Sequence, residues 1–138
     1  MVILPLYLRD LDKMVSKKDK VYSDYKKATN MSYSELLKWS KNPLSKTASL
    51  RPSQESKEAK MERRKLLTYA DPNLREILGD FNTANIRNLI LLKVPRARWD
   101  TFLISQGKKA ISYLARAKKI KGTKNRRALK NWAFDRNK

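Results

Sequence analysis

Trp99, Leu103, Gln106, Ala110, Tyr113 or Leu114, Ala117 and Ile120 recur every three to four residues. That spacing places side chains on one face of an α-helix of about six turns. Lys108, Ser112, Arg116 and Lys119 fall on the opposite face at the same spacing. The pattern therefore predicts one helix with a core stripe and a basic stripe. Gly107 weakens it locally, and Gly122 is placed to end it. Thr123 or Asn125 is then a candidate cap for a final helix that gathers Leu129, Trp132 and Ala133 on one side.

Upstream, NIRNLILLKVP is the most hydrophobic stretch. It reads as a central core helix starting at Asn85 and ended by Pro95, although a buried strand over LILLKV fits the same short run. DPNLREILGD predicts a short helix, with Asp71 as cap, Pro72 in the first turn, Gly79 in a left-handed closing position and Leu74, Ile77 and Leu78 on one side. A more polar helix is expected over 54–69, capped by Ser53 and with Glu early and Arg or Lys late. SYSELLKWSKNP carries the S-x-x-E spacing of a capping box at Ser32 and Glu35, and Pro43 stops that helix. Trp39 lies off its apolar stripe, either covering a neighbouring segment or offering a ring for base stacking. Residues 42–53 read as a connector. Residues 1–30 read as an arm: an apolar hook (Ile3, Leu4, Leu6, Leu8, Leu11) that docks on a partner protein or on its own domain, then a polar tether without sustained period.

Together these elements predict a mainly α protein. It comprises an extended N-terminal arm over 1–30, a small irregular helical domain over 31–122 and a basic helical tail over 123–138. A chain of 138 residues is one domain's worth.

Charge changes the picture. Lys and Arg number 33 against 13 Asp and Glu, a formal net charge of +20. Self-repulsion at that level opposes compaction and favours a polyanionic partner. Residues 108–138 hold twelve positive residues against Asp135 alone, a net of +11. A one-sign cluster of this kind is the footprint expected of phosphate binding. Lys108, Lys109, Arg116, Lys119, Lys121, Lys124, Arg126, Arg127 and Lys130 are the candidate contacts, with Arg96 and Arg98 as a smaller cluster after Pro95. Phosphate contacts carry no sequence information. No helix-turn-helix signature, RNP-type aromatic motif or zinc module is present, so binding without strong sequence preference is expected, to DNA or RNA alike. An acidic protein surface is the alternative partner.

Other chemistry is poorly supported. The chain has no Cys and no His, which removes thiolate nucleophiles, the commonest general base and the usual zinc ligands. QGKKA lacks the flanking residues of a P-loop. Asp71, Glu76 and Asp80 are candidate Mg²⁺ ligands, but each has a simpler role as a cap or a surface charge; Tyr69 and Tyr113 as nucleophiles need a surrounding constellation that the sequence does not supply. No enzymatic activity, cofactor or metal is expected. The N-terminal VILPLYL has no basic lead, is interrupted by Pro5 and is followed by Asp10 and Asp12, so neither export nor membrane insertion is expected.

Two stretches, SYSELLKWSKNPLSKTASLRPS at 32–53 and RRALKNWAFD at 126–135, resemble small basic proteins of uncharacterised function encoded by tailed phages. The resemblance brings no site residues. It implies a virion or phage-genome setting, in a phage particle or the host cytoplasm. In that setting a structural protein would bind the genome through its phosphates or act as a capsid cement on acidic protein. A ribosomal-type RNA-binding protein fits the same composition.

Overall fold

The computed structural model describes the backbone of residues 6–50 and 52–138, with side chains described for 17–50 and 53–138. Among these residues there are eight helices and no strand: α1 (Leu6–Ala28), α2 (Tyr33–Ser40), α3 (Pro43–Ala48), α4 (Lys57–Leu67), α5 (Pro72–Leu78), α6 (Thr83–Lys93), α7 (Thr101–Ala117) and α8 (Thr123–Asn131). The protein is mainly α, as its pattern predicts.

α6 is the centre. Every residue from Thr83 to Leu91 is buried, because α2, α4, α7 and α8 all pack against it. The run 89–92 is thus helix, not strand. A helix buried all round must pair its polar side chains internally. Asn88 accepts from the Tyr25 hydroxyl at 2.8 Å and donates to the Ala84 carbonyl. Arg87 donates to Gln106 at 2.6 Å and to Glu62 at 3.1 Å, with its guanidinium 5.0 Å from the Trp132 ring centre.

The local signals at α2 and α5 hold. Ser32 and Glu35 form both bonds of the capping box, and Asp71 caps α5 by accepting from the Leu74 amide. The same chemistry builds a helix where a connector was expected. Asn42 caps and Pro43 opens α3, so Pro43 starts one helix while ending another. α4 begins later than predicted, at Lys57, and Ser56 rather than Ser53 caps it. Gly79 is right-handed (φ −52°), not left-handed. The buried Arg63 guanidinium donates to the Gly79 and Phe81 carbonyls and so satisfies that turn without a positive φ.

The polar half of the N-terminal segment is also helix rather than tether. Val21 and Tyr25, four residues apart, are buried against α7, and Trp99 meets Tyr22 edge-on at 5.1 Å. The hook residues (3, 4, 6, 8 and 11) lie outside the residues whose side chains are described. α7 is shorter than its apolar stripe. Asp100 caps it, Trp99 is buried just before it, and it ends at Ala117, leaving Ile120 57% exposed. Gly107 is less a weak point than a clearance: a Cβ there would lie 2.9 Å from Trp99 Cζ3 and 3.0 Å from Val21 Cγ1.

Neither Thr123 nor Asn125 caps α8. Gly122, at φ 121°, occupies the cap position, and the Asn125 amide instead satisfies the Ala117 and Ile120 carbonyls at the end of α7. Trp132 and Ala133 lie past the end of α8. Ala133 takes φ 62°, while the Phe134 amide donates to the Leu129 carbonyl and the Ala133 amide to that of Lys130. This is a Schellman closure with alanine where glycine is usual. The tail then clasps the α1–α2 link: Asn30 and Asp135 exchange bonds of 2.8 and 2.7 Å. Val21, Tyr25, Leu129 and Trp132 belong to one buried cluster with α6, so the described part of α1 and the end of α8 share its core.

Candidate nucleic-acid interface

The two stripes of α7 separate as the spacing requires. Leu103, Gln106, Ala110, Leu114 and Ala117 are buried, whereas Lys108, Ser112 and Arg116 are exposed, as is Lys119 in the turn that follows. Lys108 to Arg116 spans about 12 Å at 1.5 Å per residue. The chain then turns, and Lys121 and Lys124 are exposed, with Arg126 and Arg127 half-buried on α8. Lys121, Arg126 and Arg136 line a cleft of about 350 Å³ beside Gly122 and Thr123, at a helix start without a side-chain cap. Unpaired amides at such a start favour anions.

Not every cation of the cluster is available. Glu62 accepts from Lys109 at 2.9 and 3.0 Å while also holding Arg87, so Lys109 closes a buried network. Lys118 donates to the Ala28 carbonyl at 2.7 Å, and Arg136 satisfies carbonyls at the end of α7. Lys138 reaches Asn30 and Glu35, and Lys130 lies 4.0 Å over the Trp39 ring. Five of the twelve therefore have internal work. The other seven (Lys108, Arg116, Lys119, Lys121, Lys124, Arg126 and Arg127) have no carboxylate or carbonyl partner among the described residues.

Arg96 and Arg98 stand apart. They occupy a short 3-10 turn before α7, at the opposite end of that helix from α8 and beside α1. Arg96 pairs with Asp19 at 3.5 Å, a well-exposed contact of small energetic weight. The predicted residues thus lie on α7, the turn after it and α8, apart from Arg96 and Arg98 on the 3-10 turn before α7. Lys17 and Lys20 of α1, which the pattern assigned to a tether, lie beside Lys108. Their three-residue spacing was visible; their pairing with a helix some ninety residues away was not.

The aromatic side chains are engaged elsewhere. Trp39 donates its Nε1 proton to Asn131 at 2.8 Å beneath Lys130, and Lys118 lies 4.2 Å over Phe134. Tyr113 stacks on Trp132 at 4.2 Å, so Trp132 is a packing residue. Ammonium groups also sit over Tyr22, Tyr33 and Phe102. Each of these rings has a face taken by a cation or a neighbouring ring, which leaves less of it for base stacking.

Asp71 caps α5, and no group of three or more His, Cys, Asp or Glu suited to a metal lies among the described residues. Burial and its hydrogen bond to Asp100 push the Tyr69 phenol up to about 12, and burial raises that of Tyr113. No helix among the described residues is long and apolar enough to cross a membrane. The chain matches no protein-family model, no curated protein and no solved structure.

Proposed function

We propose that this is a non-enzymatic structural protein that binds nucleic acid through backbone phosphates, without strong sequence preference, in a phage particle. One observation carries the binding: seven cations along α7 and α8 lack carboxylate and carbonyl partners among the described residues, while five neighbours of the same charge have internal contacts. Charge kept only for solubility is ordinarily mixed in sign. The covered aromatic rings favour phosphate contact over base stacking. The phage setting rests on the resemblance at 32–53 and 126–135.

The test is a titration against duplex DNA, single-stranded DNA and RNA over a range of salt. Seven neutralised phosphates give a log–log slope of about −6 on duplex and about −5 on single strands, similar across sequences. Arg116→Glu with Lys119→Glu should weaken binding to every sequence alike. Near-zero binding at low salt would overturn the reading and redirect the same face to an acidic protein surface, as for a capsid cement.

A further inference from the structure

The outer edge of the α1–α7 packing holds an arrangement of charge with no structural explanation. Lys17 of α1 and Lys108 of α7 are both exposed and stand together between two shallow clefts, each of which both residues line. One cleft, of about 420 Å³, adds Lys20, Asp24, Ile111 and Ser112. The other, of about 370 Å³, adds Thr101, Ile104 and Ser105. The two ammonium groups are close enough that the contact with Lys17, more than burial, draws Lys108 below the usual lysine range.

Like charges on long, flexible stems ordinarily separate in water. Here none of Lys17, Lys20 and Lys108 has a carboxylate at ion-pair distance among the described residues. Asp24 borders one cleft without pairing, Asp19 is engaged by Arg96, and Glu62 by Arg87 and Lys109. A bridging oxyanion resolves the clash: a phosphodiester offers one non-bridging oxygen to each ammonium, with the Ser105 and Ser112 hydroxyls in the flanking clefts. Continuity identifies the source. Lys108 is the first member of the exposed stripe that runs on through Ser112 and Arg116, so a phosphate held here is in line with others along α7.

We propose that Lys17 and Lys108 clamp one backbone phosphate of the nucleic acid between α1 and α7, extending the interface from α8 along α7 onto the N-terminal helix. This rests on the reading above, and its test separates the two.

Full-length wild type, Lys17→Gln, Lys108→Gln and the double variant are titrated with a single-stranded and a duplex oligonucleotide across salt, while NMR follows the lysine ε-methylene signals. In each single variant the remaining ammonium still holds the phosphate. The salt slope should therefore fall clearly only in the double variant, by about 0.7 on single strands and about 0.9 on duplex. The Lys17 and Lys108 signals should move together on binding. A double variant that binds with the wild-type slope overturns the clamp and leaves the general reading intact. If nucleic acid does not bind wild type at all, the general reading falls and inorganic phosphate decides the clamp. Joint movement of both signals then keeps it as a seat for a free phosphorylated compound; unmoved signals remove it.

Discussion

Replacing Asn131 by alanine should cost far more than its size suggests. Asn131 is fully buried at the end of α8 and makes five hydrogen bonds. Its Oδ1 accepts from Trp39 Nε1 at 2.8 Å, the Ser45 hydroxyl at 2.6 Å and Asn85 Nδ2 at 3.2 Å. Its Nδ2 donates to the Ser45 carbonyl and the Ser49 hydroxyl, each at 2.9 Å. Most partners have another outlet. Asn85 still reaches the Ser40 and Ser45 hydroxyls, the Ser45 carbonyl still accepts from Asn82, and Ser49 is only half-buried. The Trp39 N–H and the buried Ser45 hydroxyl are left without an acceptor. An orphaned donor of this kind costs about 1–3 kcal/mol, and the remaining bonds and the void add about 1 kcal/mol more. The total of about 3 kcal/mol corresponds to a drop in Tm of roughly 10 °C for a chain of this length.

Thermal and urea melts followed by far-UV circular dichroism measure that loss. Trp39→Phe supplies the control, since it keeps an aromatic side chain, though a smaller one, and removes the N–H. In the Trp39→Phe background, Asn131→Ala should cost about 1 kcal/mol less than in wild type. Additive effects, or a single-variant loss below about 1 kcal/mol, would refute the assignment of Asn131 as the pin that ties α8 to α2, α3 and α6. Because no charge is removed, the salt slope for nucleic acid should be unchanged wherever the variant is folded.

Two further variants test the packing that presents α7. Glu62→Gln leaves the Arg87 guanidinium, whose side chain is 7% exposed, with Gln106 but without its paired carboxylate, and should cost about 3 kcal/mol in a urea melt. Burial alone would raise the Glu62 carboxyl, but hydrogen bonding from Lys109 and the charge of Arg87 hold it below the usual range. A folded-state value below the unfolded one stabilises above the ordinary carboxylate range and is lost as pH falls through the folded value. Wild type should therefore lose more Tm than Glu62→Gln between about pH 6 and about pH 3. Gly107→Ala gains about 1 kcal/mol of helix propensity but drives a methyl to 2.9 Å from Trp99 and 3.0 Å from Val21, so a net loss of about 1–2 kcal/mol and altered Trp99 emission are expected.

Signals confined to one turn were legible from the residues. The capping box at Ser32 and Glu35, the Asp71–Pro72 start and the two-faced pattern of α7 each depend on neighbours within four positions, and each stands in the fold. The same local chemistry was present at Asn42 and Pro43, but a six-residue helix carries too little period to announce itself. The polar half of α1 was missed because only Val21 and Tyr25 mark its inward face, and Trp99, which covers it, lies more than seventy positions on. Gly79 and Ile120 misled for a shared reason. Arg63 closed one turn from outside, and α7 stopped before its apolar stripe did.

The helical class, the caps at Ser32 and Asp71 and the concentration of positive charge in the last thirty-one residues were readable from the residues alone. These follow from residue type and short-range spacing alone. Which of those charges are consumed inside the molecule depends on the folded packing. Lys109 meets Glu62 across 47 positions, Lys118 meets Ala28 across 90, and Lys138 meets Glu35 across 103. Whether a lysine is consumed internally depends on which distant segment the core brings beside it, and burial of α6 among its neighbours settles that arrangement for the whole chain.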